Sequence, residues 1–180
     1  MLTVSRDVAA FTSEECDVIV ALAARAETRP AHVWGGAAYL VDERVRSVAQ
    51  SYHPRGPETA WVYDRLDALF GEAAARFGLE VGPAAEDFQL LRYDVGSHFQ
   101  AWHTDAGADK HDQRLISVSV ELSDPGDFEG GLLEIPQAGA PPRLARGGAR
   151  FFLSRCIHRV TPVTRGTRWA LVNWTGKPGA

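Results

Sequence analysis

Cysteine, lysine and long apolar runs are scarce in this chain of 180 residues. The two cysteines, Cys16 and Cys156, are too few for a disulfide framework, so we expect buried thiols in a reducing, cytoplasmic environment. No run approaches the roughly 18 apolar residues of a membrane-spanning helix. Residues 1–10 include Arg6 and Asp7 and lack an apolar stretch, so we expect no secretory signal peptide.

The charge balance is slightly acidic, with a formal net charge of −4. Lys110 and Lys177 are the two lysines among mostly arginine basic residues, and no long basic run occurs. We therefore expect neither a nucleic-acid partner nor a membrane partner. With 45% hydrophobic and 23% charged residues the chain can bury a core, and its length predicts one domain over residues 1–180.

Two helices are predicted in the first half of the chain. Thr12 and Glu15 have the spacing of a capping box, and the apolar stripe that follows predicts a helix over about 13–26. Pro57 suits the first turn of a second helix, and Gly78 suits its end. Between these two residues, apolar side chains that would face the core recur at helical spacing: Trp61, Val62, Leu66, Leu69, Phe70, Ala73 and Phe77.

Residues 29–57 are punctuated by glycine and proline, with short apolar pieces between them. This pattern predicts a loop with strand fragments, and we expect it to act as a mobile lid. Tyr39, Arg44 and Arg46 would either contact a substrate from this lid or only cover the sheets behind it.

After residue 85 the pattern changes to short β-type segments bounded by glycine and proline. The candidate strands are 88–95, 98–105, 114–122, 131–135, 148–153, 155–160 and 167–174. Helices followed by many short strands predict an α+β, mainly β, fold in which helices pack on one outer face of a sandwich.

Alternation orients the strand over residues 114–122. Ser117, Ser119 and Glu121 share one face, and the other face is apolar. We predict that the polar face lines a pocket. The apolar residues that would pack under the helices are Ile116, Val118 and Val120.

Two histidines and one aspartate are the candidate metal ligands. His103 and Asp105 are separated by one residue, and His158 lies 55 residues further on. Such a set can occupy one face of a metal and leave three positions open, as in non-haem Fe(II) oxygenases. The pair His103/Asp105 alone is weak evidence, because a hydrogen-bonded pair at a strand end has the same spacing. A hairpin after His158 would bring back Arg168, whose planar fork suits a carboxylate.

Several segments resemble the prolyl 4-hydroxylase-like group of Fe(II)/2-oxoglutarate-dependent dioxygenases. The resemblance covers about residues 40–176. It is carried by the segments 45–47, 61–66, 93–96, 102–105, 122–125, 128–135 and 158–168 and by the closing Trp174.

The resemblance implies a double-stranded β-helix, or jelly roll, over residues 86–176, with N-terminal helices and a lid-like loop over 1–85. Fe(II), 2-oxoglutarate and O2 would be needed, and ascorbate would help in vitro. Gly130 and Gly131 would let a strand approach the site closely. The implied site residues are His103, Asp105 and His158 for iron, Arg168 for the distal carboxylate of 2-oxoglutarate, and Tyr93 for the cosubstrate or substrate pocket. We also expect Ser119 and Trp174 to contact the cosubstrate.

Glu121 departs from the pattern of the resembled group, because a carboxylate near the anionic cosubstrate would repel it. We therefore expect Glu121 to turn away or to receive a cationic group of the substrate. The implied reaction is hydroxylation of an unactivated C–H bond in a small molecule, an amino acid or a peptidyl residue, with release of succinate and CO2. The alternative is a non-catalytic or differently metallated jelly roll that binds metal or acts as a sensor. The oligomeric state is left open.

Overall fold

The computed structural model describes residues 4, 7–34, 38–84, 86–107, 113–139 and 142–179. In chain order the elements are β1 (Val8–Ala9), α1 (Ser13–Ala23), β2 (Arg29–Pro30), β3 (Val33–Trp34), β4 (Tyr39–Leu40), β5 (Ala49–His53), α2 (Ala60–Phe77), β6 (Phe88–Tyr93), β7 (Phe99–His103), β8 (Arg114–Glu121), β9 (Glu129–Gly130), β10 (Leu133–Glu134), a 3-10 helix (Pro136–Ala138), β11 (Gly148–Leu153), β12 (His158–Val160), β13 (Val163–Arg165) and β14 (Arg168–Gly176).

The strands form a major and a minor antiparallel sheet. The major sheet has seven strands in the order β1-β11-β8-β14-β6-β5-β2, and the minor sheet has the order β10-β12-β7. Val160 of β12 packs with Leu91 and Tyr93 of β6 in a small apolar cluster, so the two sheets face each other. The predicted fold, a mainly β jelly roll with helices, is confirmed.

The main core lies between the helices and the outer face of the major sheet. Leu66 and Phe70 of α2 are fully buried in one cluster with Val118 and Phe151 of the sheet. The rings of Phe70 and Phe151 meet edge to face at 5.3 Å, an arrangement that aromatic pairs prefer. The predicted helical stripe and the predicted apolar face of β8 are both confirmed.

The helix boundaries differ slightly from those predicted. Helix α1 ends at Ala23 rather than at 26. Helix α2 begins at Ala60, because the side chain of Thr59 bonds the carbonyl of Pro54 at 2.6 Å and closes a turn around Pro57 instead. Gly78 ends α2 in the left-handed conformation, with φ of 69°, as its position predicted.

The strand fragments predicted within residues 29–57 are present, and the last of them belongs to the major sheet. Ala49–His53 is a regular strand that pairs with β6 on one side, and β2 pairs with its other edge. Its sequence gives little strand signal because the buried residues are polar: Gln50, Ser51 and His53. A hydrogen bond of 2.9 Å between Ser51 Oγ and His53 Nε2 offsets part of the cost of their burial. The major sheet thus extends into the N-terminal half, and the lid role of residues 29–48 stays a prediction.

The sequence predicts neither a membrane-spanning helix nor a disulfide framework. Neither helix of the described chain combines the length and apolar character needed to cross a bilayer. Cys16 and Cys156 are both buried, as predicted.

Thr12→Ala should lower the free energy of unfolding by about 1 kcal/mol, because the capping box of α1 is formed. The Thr12 hydroxyl accepts from the Glu15 N–H at 3.2 Å, and the Glu15 carboxylate accepts from the Thr12 N–H at 2.9 Å. Urea unfolding would measure the loss. Ser13→Ala is the matched control, with an expected change within about 0.5 kcal/mol. Equal losses in both variants would show that the cap contributes nothing of its own.

Candidate metal centre

Three side chains meet where the ends of two minor-sheet strands lie side by side. His103 ends β7 and His158 begins β12, and the two residues are direct partners in the antiparallel register. Asp105 follows two residues after His103 and is held by a 2.9 Å bond from its N–H to the carbonyl of Ser154. The ligand atoms of the triad lie within 4.8 Å of one another, with His158 Nε2 3.6 Å from Asp105 Oδ2. Among the described residues, this is the one group of three or more metal-ligating side chains so arranged.

Both imidazoles are oriented by backbone carbonyls. The Nδ1 of His103 donates to the carbonyl of Ala101 at 2.9 Å, and the Nδ1 of His158 donates to the carbonyl of Cys156 at 3.0 Å. These bonds fix the tautomer that carries its proton on Nδ1, so Nε2 presents its lone pair to the site.

The protonation states favour metal binding at neutral pH. Burial, helped by the neighbouring His158, lowers the pKa of His103 to about 4. Burial alone would raise the pKa of Asp105, but the imidazoles of His158 and His103 outweigh it and hold the value at about 2. A neutral imidazole and an ionised carboxylate are the forms that bind a cation, so no proton has to leave these two groups first.

Aromatic rings hold the two histidines from behind. Phe99 stacks on His103 with ring centroids 3.5 Å apart and 14° between the planes. Phe152 meets the ring of His158 edge on at 4.8 Å. The donors therefore have little rotational freedom, as a preorganised metal site requires.

One cavity of about 1000 Å³ lies between the two sheets. All seven residues predicted for the site line it: Tyr93, His103, Asp105, Ser119, His158, Arg168 and Trp174. The structure thus brings together side chains that are up to 81 positions apart in the sequence.

The polar face of β8 is only partly as predicted. Ser119 lines the large cavity, whereas Glu121 lines an adjoining cavity of about 320 Å³. Ser117 is buried, and its hydroxyl bonds the Ser154 hydroxyl at 2.9 Å. Arg168 lines both cavities and stands between them.

Glu121 lies on the side of the adjoining cavity, which agrees with the expectation that it turns away from the cosubstrate pocket. Its partner was not expected: the Oε2 of Glu121 accepts from the Nε of Arg168 at 2.8 Å. The two residues are 5% and 3% exposed, so this is a buried ion pair. The nearest charge to this carboxylate is therefore the Arg168 cation, which attracts it. The Arg168 guanidinium also lies over the ring of Tyr93, 5.4 Å from its centroid.

The model of the 2OG-Fe(II) oxygenase superfamily matches residues 88–176 of this chain. These residues include the whole triad, Tyr93 and Arg168. The donor set fits the iron of this family, since two imidazoles and one carboxylate form the facial arrangement used by non-haem Fe(II) oxygenases.

The curated relatives that match are named hydroxylases. A PKHD-type hydroxylase of Synechococcus sp. (strain CC9902) is 35% identical over 87 residues, which are 47% of this chain and 39% of that protein. A PKHD-type hydroxylase of Idiomarina loihiensis is 36% identical over 87 residues, with the same two shares. The match therefore spans about two fifths of each relative's length.

Solved structures share the fold over nearly the whole chain. A prolyl-4-hydroxylase of Pseudomonas putida superposes with a TM-score of 0.72 at 22% identity, covering 98% of this chain and 94% of its own. A prolyl hydroxylase of Trichoplax adhaerens was solved with a peptide fragment of the hypoxia inducible factor oxygen degradation domain. It superposes with a TM-score of 0.73 at 18% identity, covering 96% of this chain and 83% of its own.

Two arginines of the large cavity were missed or left undecided by the sequence. Arg46 lies with its guanidinium 4.9 Å from the centroid of Phe99, and its buried Nε has no partner among the described residues. No pattern in the sequence indicated Arg114 as a site residue. It is ion-paired with Glu86, lies 3.8 Å from the ring centroid of Trp174 and donates to the carbonyl of Asp105 at 3.3 Å. Only the alternation of residues along β8 could have indicated that Arg114 faces the cavity. The bulge where Arg114 pairs with β14 interrupts that alternation.

Two consecutive glycines allow the chain to pass close to Arg168, as predicted. A Cβ on Gly130 would lie 2.0 Å from the carbonyl oxygen of Pro162, which leaves no room for any side chain. A Cβ on Gly131 would lie 2.9 Å from Val163 Cγ2 and 3.0 Å from Arg168 Cδ.

Gly131→Ala should displace Arg168 and weaken the binding of 2-oxoglutarate. The positive φ of 58° also strains the backbone, so we expect a loss of about 1 kcal/mol or more in stability. Gly139→Ala is the matched control, because its φ is 71° and nothing lies within 4 Å of its Cβ. Calorimetric titration and thermal unfolding would measure both effects. If the two variants bound 2-oxoglutarate equally well, close approach to Arg168 would not matter.

Proposed function

We propose that this protein is an Fe(II)- and 2-oxoglutarate-dependent hydroxylase. It would insert oxygen into an unactivated C–H bond of a small molecule, an amino acid or a peptidyl residue, with release of succinate and CO2. One observation carries the proposal: the preorganised triad and a buried arginine line the same cavity between the sheets. A metal site and a carboxylate-binding cation in one pocket are what a chelating keto dicarboxylate requires.

The triad would hold Fe(II) by the Nε2 atoms of His103 and His158 and by the carboxylate of Asp105. When bound, Fe(II) with 2-oxoglutarate supplies the activation of O2 that the side chains of a protein cannot supply. Asp105 occupies the position that a halogenase leaves open for chloride, so its presence favours hydroxylation over halogenation.

Arg168 would bind the distal carboxylate of 2-oxoglutarate, beside the phenol ring of Tyr93. Burial raises the pKa of Tyr93, so its hydroxyl stays protonated and can donate a hydrogen bond. The cavity of about 1000 Å³ is at the upper end of the range for small-ligand sites, roughly 300–1000 Å³, which leaves room for a substrate beside the cosubstrate.

The substrate class is open between a free small molecule and a peptidyl residue. The Trichoplax prolyl hydroxylase with a bound peptide fragment supports a peptidyl substrate, through likeness of fold alone. The composition predicts a cytoplasmic protein without nucleic-acid or membrane partners, and these predictions belong to the proposal.

A sensor that binds metal without catalysis is the second candidate. The observation that favours it is the ion pair, because the cation meant for 2-oxoglutarate already has a carboxylate partner.

Succinate formation decides between the two candidates. Purified protein would be incubated with Fe(II), 2-oxoglutarate, ascorbate and O2, with and without pools of metabolites or peptides. The hydroxylase should form succinate, and some pool member should gain the mass of one oxygen atom. His158→Ala is the control for iron chemistry in free solution. Tight Fe(II) binding without succinate or a mass gain would favour the sensor.

A further inference from the structure

Glu121 and Arg168 form a buried ion pair on two adjacent strands of the major sheet. Glu121 ends β8, Arg168 begins β14, and the two strands pair antiparallel along most of their length. Ser123 supports the pair, since its N–H donates to Glu121 Oε1 at 3.4 Å. The pair is part of the rigid sheet, so neither side chain can leave without exposing or stranding the other charge.

Four of the five N–H donors of Arg168 have no partner within the described chain. Its single hydrogen bond there runs from Nε to Glu121, and neither Nη1 nor Nη2 has a protein partner. A guanidinium can hold one carboxylate on its Nε side and a second on its terminal edge. The terminal edge remains for a ligand in the large cavity, which Arg168 also lines.

We propose that Glu121 makes cosubstrate binding proton-linked: 2-oxoglutarate binds at Arg168 together with one proton from solvent, which is taken up by Glu121. This inference rests on the proposed function. Glu121 is then a specificity-determining residue, because it sets the charge that the distal end of the cosubstrate must match.

The charges around Glu121 leave it dependent on Arg168. The titratable or charged groups that face it or share its cavity are Arg168 of β14, Tyr93 of β6, Cys16 of α1, Glu134 of β10, Arg150 of β11 and Arg143. Apart from Arg168, these groups offer little positive charge that could stabilise the ionised carboxylate of Glu121. Arg150 is paired with Asp7 at 2.6 Å, and Glu134 is paired with Arg159 at 2.7 Å. Arg143 is exposed and lies over Phe128, so solvent screens its charge.

Two ionised carboxylates on one buried guanidinium would leave a net negative charge in the sheet. Carboxylates that share a buried site do not both ionise readily, so the pKa of one of them rises. Burial already raises the pKa of Glu121, with Arg168 opposing this. A second carboxylate at Arg168 weakens the attraction between Arg168 and Glu121. The pKa of Glu121 therefore rises further. Protonation of Glu121 removes the repulsion between the two carboxylates and leaves the charge of Arg168 to the cosubstrate.

The sign of the pH effect follows from this shift. Below the pKa that Glu121 has in the free protein it is already neutral, so binding takes up no proton. Above that value binding takes up one proton, and the affinity for 2-oxoglutarate falls about tenfold for each pH unit until the bound-state pKa is reached. The Fe(II)-loaded protein should therefore bind 2-oxoglutarate more tightly at lower pH, within the range where the triad keeps its iron.

Anaerobic calorimetry on the Fe(II)-loaded protein would test the inference without turnover. Titration with 2-oxoglutarate in two buffers of different ionisation enthalpy gives the number of protons taken up at each pH between 6 and 9. We expect the uptake to rise toward one as pH rises. Uptake near zero throughout this range would overturn the inference.

Glu121→Gln is the informative variant, because the amide oxygen can still accept from Arg168 Nε while the charge and its titration are gone. It should take up no such proton, bind 2-oxoglutarate with little dependence on pH, and bind at least tenfold more tightly than the wild type at pH 9. Glu129→Gln removes an exposed glutamate paired with Arg165 and should behave as the wild type.

The outcomes separate the inference from the proposed function. If all three proteins bind Fe(II) but none binds 2-oxoglutarate, the proposed function fails and the inference with it. If all three bind 2-oxoglutarate with the same proton uptake and pH dependence, the proposed function stands and Glu121 is not the linked group. Should Glu121→Gln fold poorly, the proton count of the wild-type protein still decides.

Discussion

His158→Ala should reduce Fe(II) affinity more than 100-fold and abolish 2-oxoglutarate turnover. Loss of a residue that only supports a ligand typically costs about 10–100-fold in metal affinity, so loss of a ligand itself should cost more. The remaining His103 and Asp105 cannot fix a face of the metal between them. Asp105→Ala and His103→Ala should give the same loss. Metal titration under anaerobic conditions and succinate formation would measure it.

His98→Ala is the matched control for this experiment. His98 lies in the segment that leads into β7, does not line the large cavity and accepts a 3.3 Å bond from the N–H of Gln100. Its loss should leave both Fe(II) affinity and turnover nearly unchanged. Thermal unfolding would show that the triad variants remain folded. If a folded triad variant retained near wild-type succinate formation, the replaced residue would not be a ligand.

Arg168→Ala should weaken the binding of 2-oxoglutarate roughly 30-fold or more. Truncating one partner of a buried charge pair costs on the order of 2–5 kcal/mol, and about 1.4 kcal/mol corresponds to a tenfold change in affinity. Arg168→Lys should be milder, because the point charge is kept while the fork is lost. Fe(II) affinity without cosubstrate should change little, since Arg168 is not among the triad.

The buried pair complicates this variant in a way that can be controlled. Arg168→Ala leaves Glu121 buried without its cation, which costs about 3–5 kcal/mol if the carboxylate stays ionised. The double variant Arg168→Ala/Glu121→Gln removes that stranded charge and should recover stability without recovering 2-oxoglutarate affinity.

If Arg168→Ala bound 2-oxoglutarate normally, another cation would have to hold it. Arg150, Arg165 and Arg114 have carboxylate partners in Asp7, Glu129 and Glu86, so Arg46, which lines the large cavity, would be the first to examine.

Local signals in the sequence predicted the elements that depend on local physics. The capping box at Thr12, the stop at Gly78 and the stripe of α2 depend on neighbours a few residues away, and all three are confirmed. Strand β8 was oriented correctly because alternation with a period of two is read within eight residues.

Features that depend on distant partners were not predictable in the same way. Strand β5 is polar inside and becomes a strand because β6 offers its free edge. Strand β13 was not among the candidate strands, and its pairing with β9 involves residues more than 30 positions away. The triad was predicted because two histidines and an aspartate are typical metal ligands. The resemblance to a known family implied the roles of the other site residues. The Glu121–Arg168 pair spans 47 positions, and no local pattern indicates that the two would meet.

The placement of the site across two sheets has a consequence for the choice of keto acid. The imidazole donors belong to β7 and β12 of the minor sheet, whereas Arg168 belongs to β14 of the major sheet. Facing sheets pack about 10 Å apart, a distance set by the side chains between them. Here those side chains include Val160 and Leu91. On the proposed function, the thickness of this apolar layer determines how long a dicarboxylate must be to reach from metal to cation, so residues that touch neither end of the cosubstrate would select its chain length.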